Sequence, residues 1–147
     1  MGLDGRIEIA VSAQRAWTAL TDPAQVAACL PGAPRVERVD ATHYRAPVRL
    51  EAGFLRASTT LEVALTEAAP PDAAAFELAA TLLGGTFRTG LRLAFAAAAA
   101  DRTAVSWSAE VALGGSLASF RGPVEAAARA QAEAILSCLK ARLEAET

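Results

Sequence analysis

Through most of this chain apolar residues recur at every second position, and from Ser116 onward they recur at helical spacing instead. A period of two buries one face of a strand, and a period of about 3.6 buries a stripe along a helix. A run of strands closed by one amphipathic helix predicts an α+β domain in which an antiparallel sheet packs on that helix. Six of the expected strands follow one another directly. The clearest is Leu55–Thr66, where Leu55, Ala57, Thr59, Leu61, Val63 and Leu65 alternate with Arg56, Ser58, Thr60, Glu62, Ala64 and Thr66.

The other strands follow the same rule. Leu3, Gly5, Ile7, Ile9 and Val11 alternate with Asp4, Arg6, Glu8 and Ala10 in an opening strand. Arg35–Asp40 and Tyr44–Glu51 flank the turn Asp40-Ala41-Thr42, with Tyr44, Ala46, Val48 and Leu50 on one face. Pro47 places that strand at an edge or a bulge, because proline cannot donate to a ladder. Pro70-Pro71-Asp72 ends the Leu55 strand, and Phe76, Leu78, Ala80 and Leu82 begin the next. Gly84-Gly85 turns the chain into Phe87, Leu91, Leu93 and Phe95, opposite Arg88 and Arg92, and Thr103, Val105, Trp107, Ala109, Val111 and Leu113 complete the set.

Between the first two strands lie signals for two short helices. Ser12 is an N-cap, its hydroxyl accepting from a free first-turn N–H, ahead of Ala16, Trp17 and Leu20. Asp22-Pro23 starts a second helix, with Pro where no N–H is needed, and Pro31-Gly32 stops it after Val26, Ala27 and Leu30. In the last helix Leu117, Phe120, Val124, Ala128, Ile135, Leu139 and Leu143 share a side, with Glu125, Arg129, Glu133, Lys140 and Glu144 away from it. Gly122-Pro123 bends that helix or starts it afresh.

The motifs of the opening carry a resemblance. Ala16-Trp17, Leu20-Thr21-Asp22-Pro23 and Cys29-Leu30-Pro31-Gly32 resemble the Val-Trp, Leu-x-Asp-Pro and Cys-Ile-Pro-Gly of the CoxG-like family, named for the G subunit of carbon monoxide dehydrogenase. That family lies within the START/polyketide-cyclase (SRPBCC) superfamily. Leu113-Gly114-Gly115-Ser116-Leu117 is similar to the family's Gly-Gly-x-Leu entry to the last helix. Where relatives carry a Phe-Phe pair late in that helix, this chain has Ile135, Leu136, Cys138 and Leu139. The resemblance implies a helix-grip (START/Bet v 1-like) fold: a seven-stranded antiparallel curved sheet wrapped around the C-terminal helix, with a cavity between them. Residues 1–147 are expected to form one such domain.

Composition narrows the function. With 53% hydrophobic and 20% charged residues over 147 positions, the chain can bury a core of its own. A net charge of -2 gives no bulk attraction to nucleic acid. No stretch approaches the ~20 continuous apolar residues of a membrane helix, and Asp4, Arg6 and Glu8 occupy the place of a signal peptide's apolar run. A cytoplasmic protein is expected, with contact at the inner face of the membrane as a peripheral option. Cys29 and Cys138 are too few for a disulfide framework and are read as small buried apolar residues rather than reactive thiols. Thirteen arginines against one lysine, and the run Ala96–Ala100, reflect base composition and carry no function.

Groups for catalysis are scarce. His43 sits beside a tight turn, where a surface role is expected, and Glu51, Glu62, Glu77 and Glu110 fall on outward strand positions. No residues have nucleophile–base or metal-ligand spacing, and Gly84-Gly85 and Gly114-Gly115 read as turns. No catalytic residue, metal or cofactor is expected. Trp17 and Trp107 could stack on a planar ligand, although core is the commoner role. Arg45, Arg49, Arg56, Arg88 and Arg92 face outward and could form a basic patch for anionic headgroups or an acidic partner, or merely a mixed charged surface.

Small residues at inward positions, Ala57, Thr59, Ala80, Ala109, Ala128 and Ala134, favour empty volume between sheet and helix, since a close core offsets small residues with large ones. The expected lining is Leu61, Val63, Leu78, Leu91, Phe95, Trp107, Phe120 and Val124, holding a hydrophobic small molecule such as a lipid or quinone without catalysis. The resemblance further implies an accessory or membrane-recruitment role beside a molybdenum-containing carbon monoxide dehydrogenase-type enzyme. A polyketide cyclase-like enzyme and a protein-interaction or homodimerisation module are the alternatives.

Overall fold

A computed structural model describes residues 2–52 and 55–146, with side chains described outside positions 50–55; the placements expected for Leu50, Glu51 and Leu55 lie outside the described side chains. The strands are β1 (Gly2–Ile9), β2 (Glu37–Arg38), β3 (His43–Ala52), β4 (Leu55–Ala69), β5 (Ala73–Leu82), β6 (Gly85–Ala99) and β7 (Arg102–Gly115). They form one antiparallel sheet in the order β1-β7-β6-β5-β4-β3-β2. Helices α1 (Ala13–Leu20) and α2 (Pro23–Ala28) lie between β1 and β2, and a 3₁₀ turn, Ser116–Phe120, leads into α3 (Arg121–Ala145). This is the helix-grip arrangement that the period switch and the resemblance predict.

Local chemistry sets the boundaries. Ser12 Oγ accepts from Arg15 N at 3.3 Å, and Asp22 Oδ1 accepts from Ala24 N at 3.0 Å, so both helices are capped as expected. The 3₁₀ turn gives way to α3 at Arg121, which puts Pro123 in the first turn, where a missing N–H costs nothing. The proline thus starts the helix afresh. Between β5 and β6, Leu83 and Gly84 take φ of 52° and 73°, as a two-residue hairpin loop requires. β2 is far shorter than Arg35–Asp40. It pairs with β3 only at Glu37↔Arg45 and Arg38↔Tyr44, and Pro47, two residues on, offers no N–H with which to extend the pairing.

The dry core sits at one end of the sheet. Ile9, Val11, Val105, Phe95, Leu93 and Trp107 pack there with Ala16 and Leu20 of α1 and with Leu136, Leu139 and Leu143 of α3. Leu136, three residues before Leu139 and seven before Leu143, is buried although the expected inward set leaves it out, while Ala134 is exposed. Trp107 lies over β1 opposite Gly5, where a Cβ would come within 2.5 Å of the indole nitrogen. Only glycine fits beneath that ring. Thr103, fully buried, donates from Oγ1 to the Val11 carbonyl at 2.9 Å.

The cysteines correct the sequence reading. Cys29 and Cys138 are joined in a disulfide with Cα atoms 5.8 Å apart, tying the C-cap of α2 to the later half of α3. They are separated by 109 positions, and nothing in local spacing announces the pairing.

Candidate functional site

Toward the middle of the sheet the face turned to α3 is no longer dry. Val63 and Leu78 are cross-strand partners on β4 and β5, Leu78 pairs with Thr89 on β6, and Thr89 pairs with Val111 on β7. Around this row Leu61, Ala80, Phe87, Leu91, Ala109 and Leu113 are all half-buried, although they share a face with the core. The cause lies on the helix. Between Val124, which is buried, and Ile135, the side packed toward the sheet carries Ala128 and Ala132. Eleven residues of helix span about 16 Å, and over that length α3 offers methyl groups where its ends offer Val124, Leu136 and Leu139. Larger side chains thus flank this stretch of small residues at both ends of the helix.

The eight expected lining residues divide in two. Leu61, Val63, Leu78 and Leu91 form a half-buried band across β4, β5 and β6, and Phe120 is half-buried at the end of the 3₁₀ turn. Phe95, Trp107 and Val124, only 6%, 5% and 1% exposed, are wall and core rather than free lining. Trp17 is likewise structural, since its indole donates to the Ala73 carbonyl at 2.8 Å. Phe87, Ala80, Leu113 and Ala132 belong with the band by position and half-burial. Thr89 joins them as the polar residue that the alternation passes over, and its Oγ1 is buried without a hydrogen-bond partner.

Among the described sheet residues, the inner face carries Tyr44, whose hydroxyl donates to the Ala41 carbonyl at 3.3 Å, and opposite it at the β2 edge Arg38, whose Nε donates to the Asp40 carbonyl at 3.1 Å. Thr59 on the same face donates to the Thr81 carbonyl at 2.8 Å. Among the described residues no group of three or more His, Cys, Asp or Glu side chains is placed to hold a metal ion. No helix there is long and apolar enough to cross a membrane.

Two open grooves lie on other parts of the sheet. One, of about 520 Å³, is on the opposite face of the sheet, where His43, Arg45, Glu62, Glu77, Arg88 and Glu110 surround Gly90. Arg45 pairs with Glu62 across β3 and β4, and Arg92 reaches Glu67 at 3.4 Å, so the outward arginines sit in a mixed charged surface rather than a basic patch. The other, of about 570 Å³, follows the short β2 edge beside Pro47. His43 is exposed at the hairpin tip, as expected, and its Nδ1 lies 2.8 Å from Asp40 Oδ1. Bonds from the Thr42 N–H first, then from His43, hold the Asp40 carboxyl down at about 2.

Known proteins share this fold. A conserved protein from Geobacillus kaustophilus superimposes with a TM-score of 0.87 at 14% identity, covering 98% of this chain and 95% of that one. The Zhui aromatase/cyclase from Streptomyces sp. R1128 gives 0.76 at 13% identity, with 98% and 93% covered. A START superfamily protein from Mycobacterium smegmatis gives 0.72 at 16%, with 99% of each chain covered. At these identities the likeness is one of fold. A search of curated proteins finds no significant match. The family model of CoxG, the G subunit of carbon monoxide dehydrogenase, matches residues 5–144, and on that extent the chain belongs to the CoxG family.

Proposed function

We propose that the protein binds a hydrophobic small molecule in a trough between the sheet and α3, without transforming it. The observation that carries this reading is the stretch of α3 between Val124 and Ile135, where Ala128 and Ala132 face a band of half-buried Leu61, Val63, Leu78 and Leu91. Each CH₂ of a ligand buried there contributes on the order of 0.8 kcal/mol, which works against the cost of immobilising the ligand. A lipid or a quinone is the cargo class that fits. Family membership supports the finer reading, an accessory that carries such a cargo for a molybdenum-containing carbon monoxide dehydrogenase-type enzyme, with peripheral contact at the membrane where the cargo resides.

A cyclase-like enzyme needs a proton-transferring group beside its substrate. Tyr44 and Thr59 already donate to backbone carbonyls, and Thr89, whose hydroxyl is unpartnered, does not ionise at ordinary pH, so binding is the stronger reading. Native mass spectrometry of freshly purified protein, paired with an organic extract of the same sample, tests it. An adduct with the mass of a lipid or quinone is expected. A bare mass that persists after incubation with menaquinone analogues and fatty acids would sink the proposal and shift weight to a protein-interaction role.

A further inference from the structure

Thr89 stands in the middle of the apolar band. Its cross-strand partners are Leu78 and Val111, and its neighbours on the same strand face are Phe87 and Leu91. A buried hydroxyl without a partner is costly, because it has given up water and received nothing in exchange. Thr59 shows the alternative on the same face: its hydroxyl reaches the Thr81 carbonyl. Thr89 Oγ1 reaches none, although the residue as a whole retains some exposure. A turn of about 120° about its Cα–Cβ bond moves the oxygen to another staggered position, so the hydroxyl can swing toward a molecule entering the trough.

The partner's chemistry follows from counting hydrogens. A ligand hydroxyl meeting one threonine hydroxyl leaves one O–H without an acceptor in apolar surroundings. A carbonyl oxygen takes the threonine proton and leaves no donor over. Resting on the trough reading above, we infer that Thr89 donates a hydrogen bond to a carbonyl oxygen of the bound molecule, and that the trough therefore selects apolar ketones or quinones over hydrocarbons of the same shape.

The test uses two probes of matched shape, 2-acetylnaphthalene and 2-isopropylnaphthalene, titrated calorimetrically into the whole protein and its Thr89→Val and Thr89→Ser variants. The ketone is expected to bind the unsubstituted protein more tightly than the hydrocarbon. T89V is expected to weaken the ketone about tenfold and leave the hydrocarbon within about twofold, while raising the thermal midpoint of the ligand-free protein, because an unmet hydroxyl has been removed. T89S, which keeps the hydroxyl, is expected to retain the preference for the ketone and shows that any loss in T89V is not one of folding. Equal binding of the two probes, or equal weakening of both by T89V, overturns the role of Thr89 and leaves the trough standing. Failure of both probes to bind the unsubstituted protein overturns the trough and this inference with it.

Discussion

Gly5 shows how much one missing side chain can decide. Its carbon faces the Trp107 indole so closely that a methyl group would sit 2.5 Å from the ring nitrogen. Gly5→Ala is expected to drive the indole from the core and cost about 1–3 kcal/mol, read as a lower urea midpoint at unchanged slope. A midpoint equal to that of the unsubstituted protein would mean that the ring has room to move aside. Asp40 offers a test of another kind. Its carboxylate accepts from the Thr42 and His43 N–H groups, each at 2.9 Å, and titrates at about 2, below the ordinary value of 3.8. A depressed acid stabilises the fold above its unfolded value and loses that contribution as pH falls through its folded one. Stability should therefore drop between about pH 3.8 and 2, and Asp40→Asn should flatten that part of the profile. An NMR titration of the Asp40 carboxyl with a midpoint near the ordinary 3.8 would refute the assignment.

At the scale of elements, α3 does two jobs with two halves. Its later half seals the core with Leu136, Leu139 and Leu143, while Lys140 donates to the Glu8 carbonyl at 2.7 Å and Glu144 accepts from Ala10 N at 2.8 Å. Together with Arg129, which reaches the Asp4 carbonyl, these side chains occupy backbone groups along the free edge of β1. Lys140 beside Glu144, and then the Ala10 N–H, lower the Glu144 carboxyl, so this tie too is present at neutral pH and weakens on acidification. Lys140→Ala should expose the edge and favour strand-to-strand association, visible as larger species in light scattering at high protein concentration. The earlier half of α3 carries Ala128 and Ala132, which face the proposed trough. Ala128→Leu with Ala132→Leu should fill it, holding stability level or raising it while reducing probe binding at least tenfold. In a close-packed interior the same pair would overpack and cost about 1–3 kcal/mol.

Much of this architecture is legible in the residues. Alternation locates six of the seven strands, and the Ser12 and Asp22 caps set the helix starts, because those features depend on neighbours within a few positions; the short β2 has no such alternation. Features that depend on what arrives from elsewhere are not. Phe95 and Trp107 belong to the inner face as expected, but which end of that face α1 and the later half of α3 cover is a matter of tertiary packing, and it makes them wall. Leu136 is buried because the contact stripe drifts around a long helix. The unmet hydroxyl of Thr89 is invisible to any pattern of polar and apolar letters.

For the whole molecule the governing feature is the Cys29–Cys138 bond, whose cysteines lie 109 positions apart. Closing so long a loop restricts the unfolded chain, and its reduction should cost about 2–5 kcal/mol, measured as a fall in unfolding midpoint on adding a dithiol. A midpoint unmoved by the reductant, with both thiols shown to be free, would contradict this. Mechanically, the bond makes the molecule a closed ring with two tails. β2 to β7 lie on the ring, and β1, α1, α2 and the last turns of α3 lie on the tails. Pulled from outside the loop, the oxidised chain can lengthen only through the segments that flank it, not through residues 30–137. The sheet residues assigned to the proposed trough lie within the loop that no tension can reach.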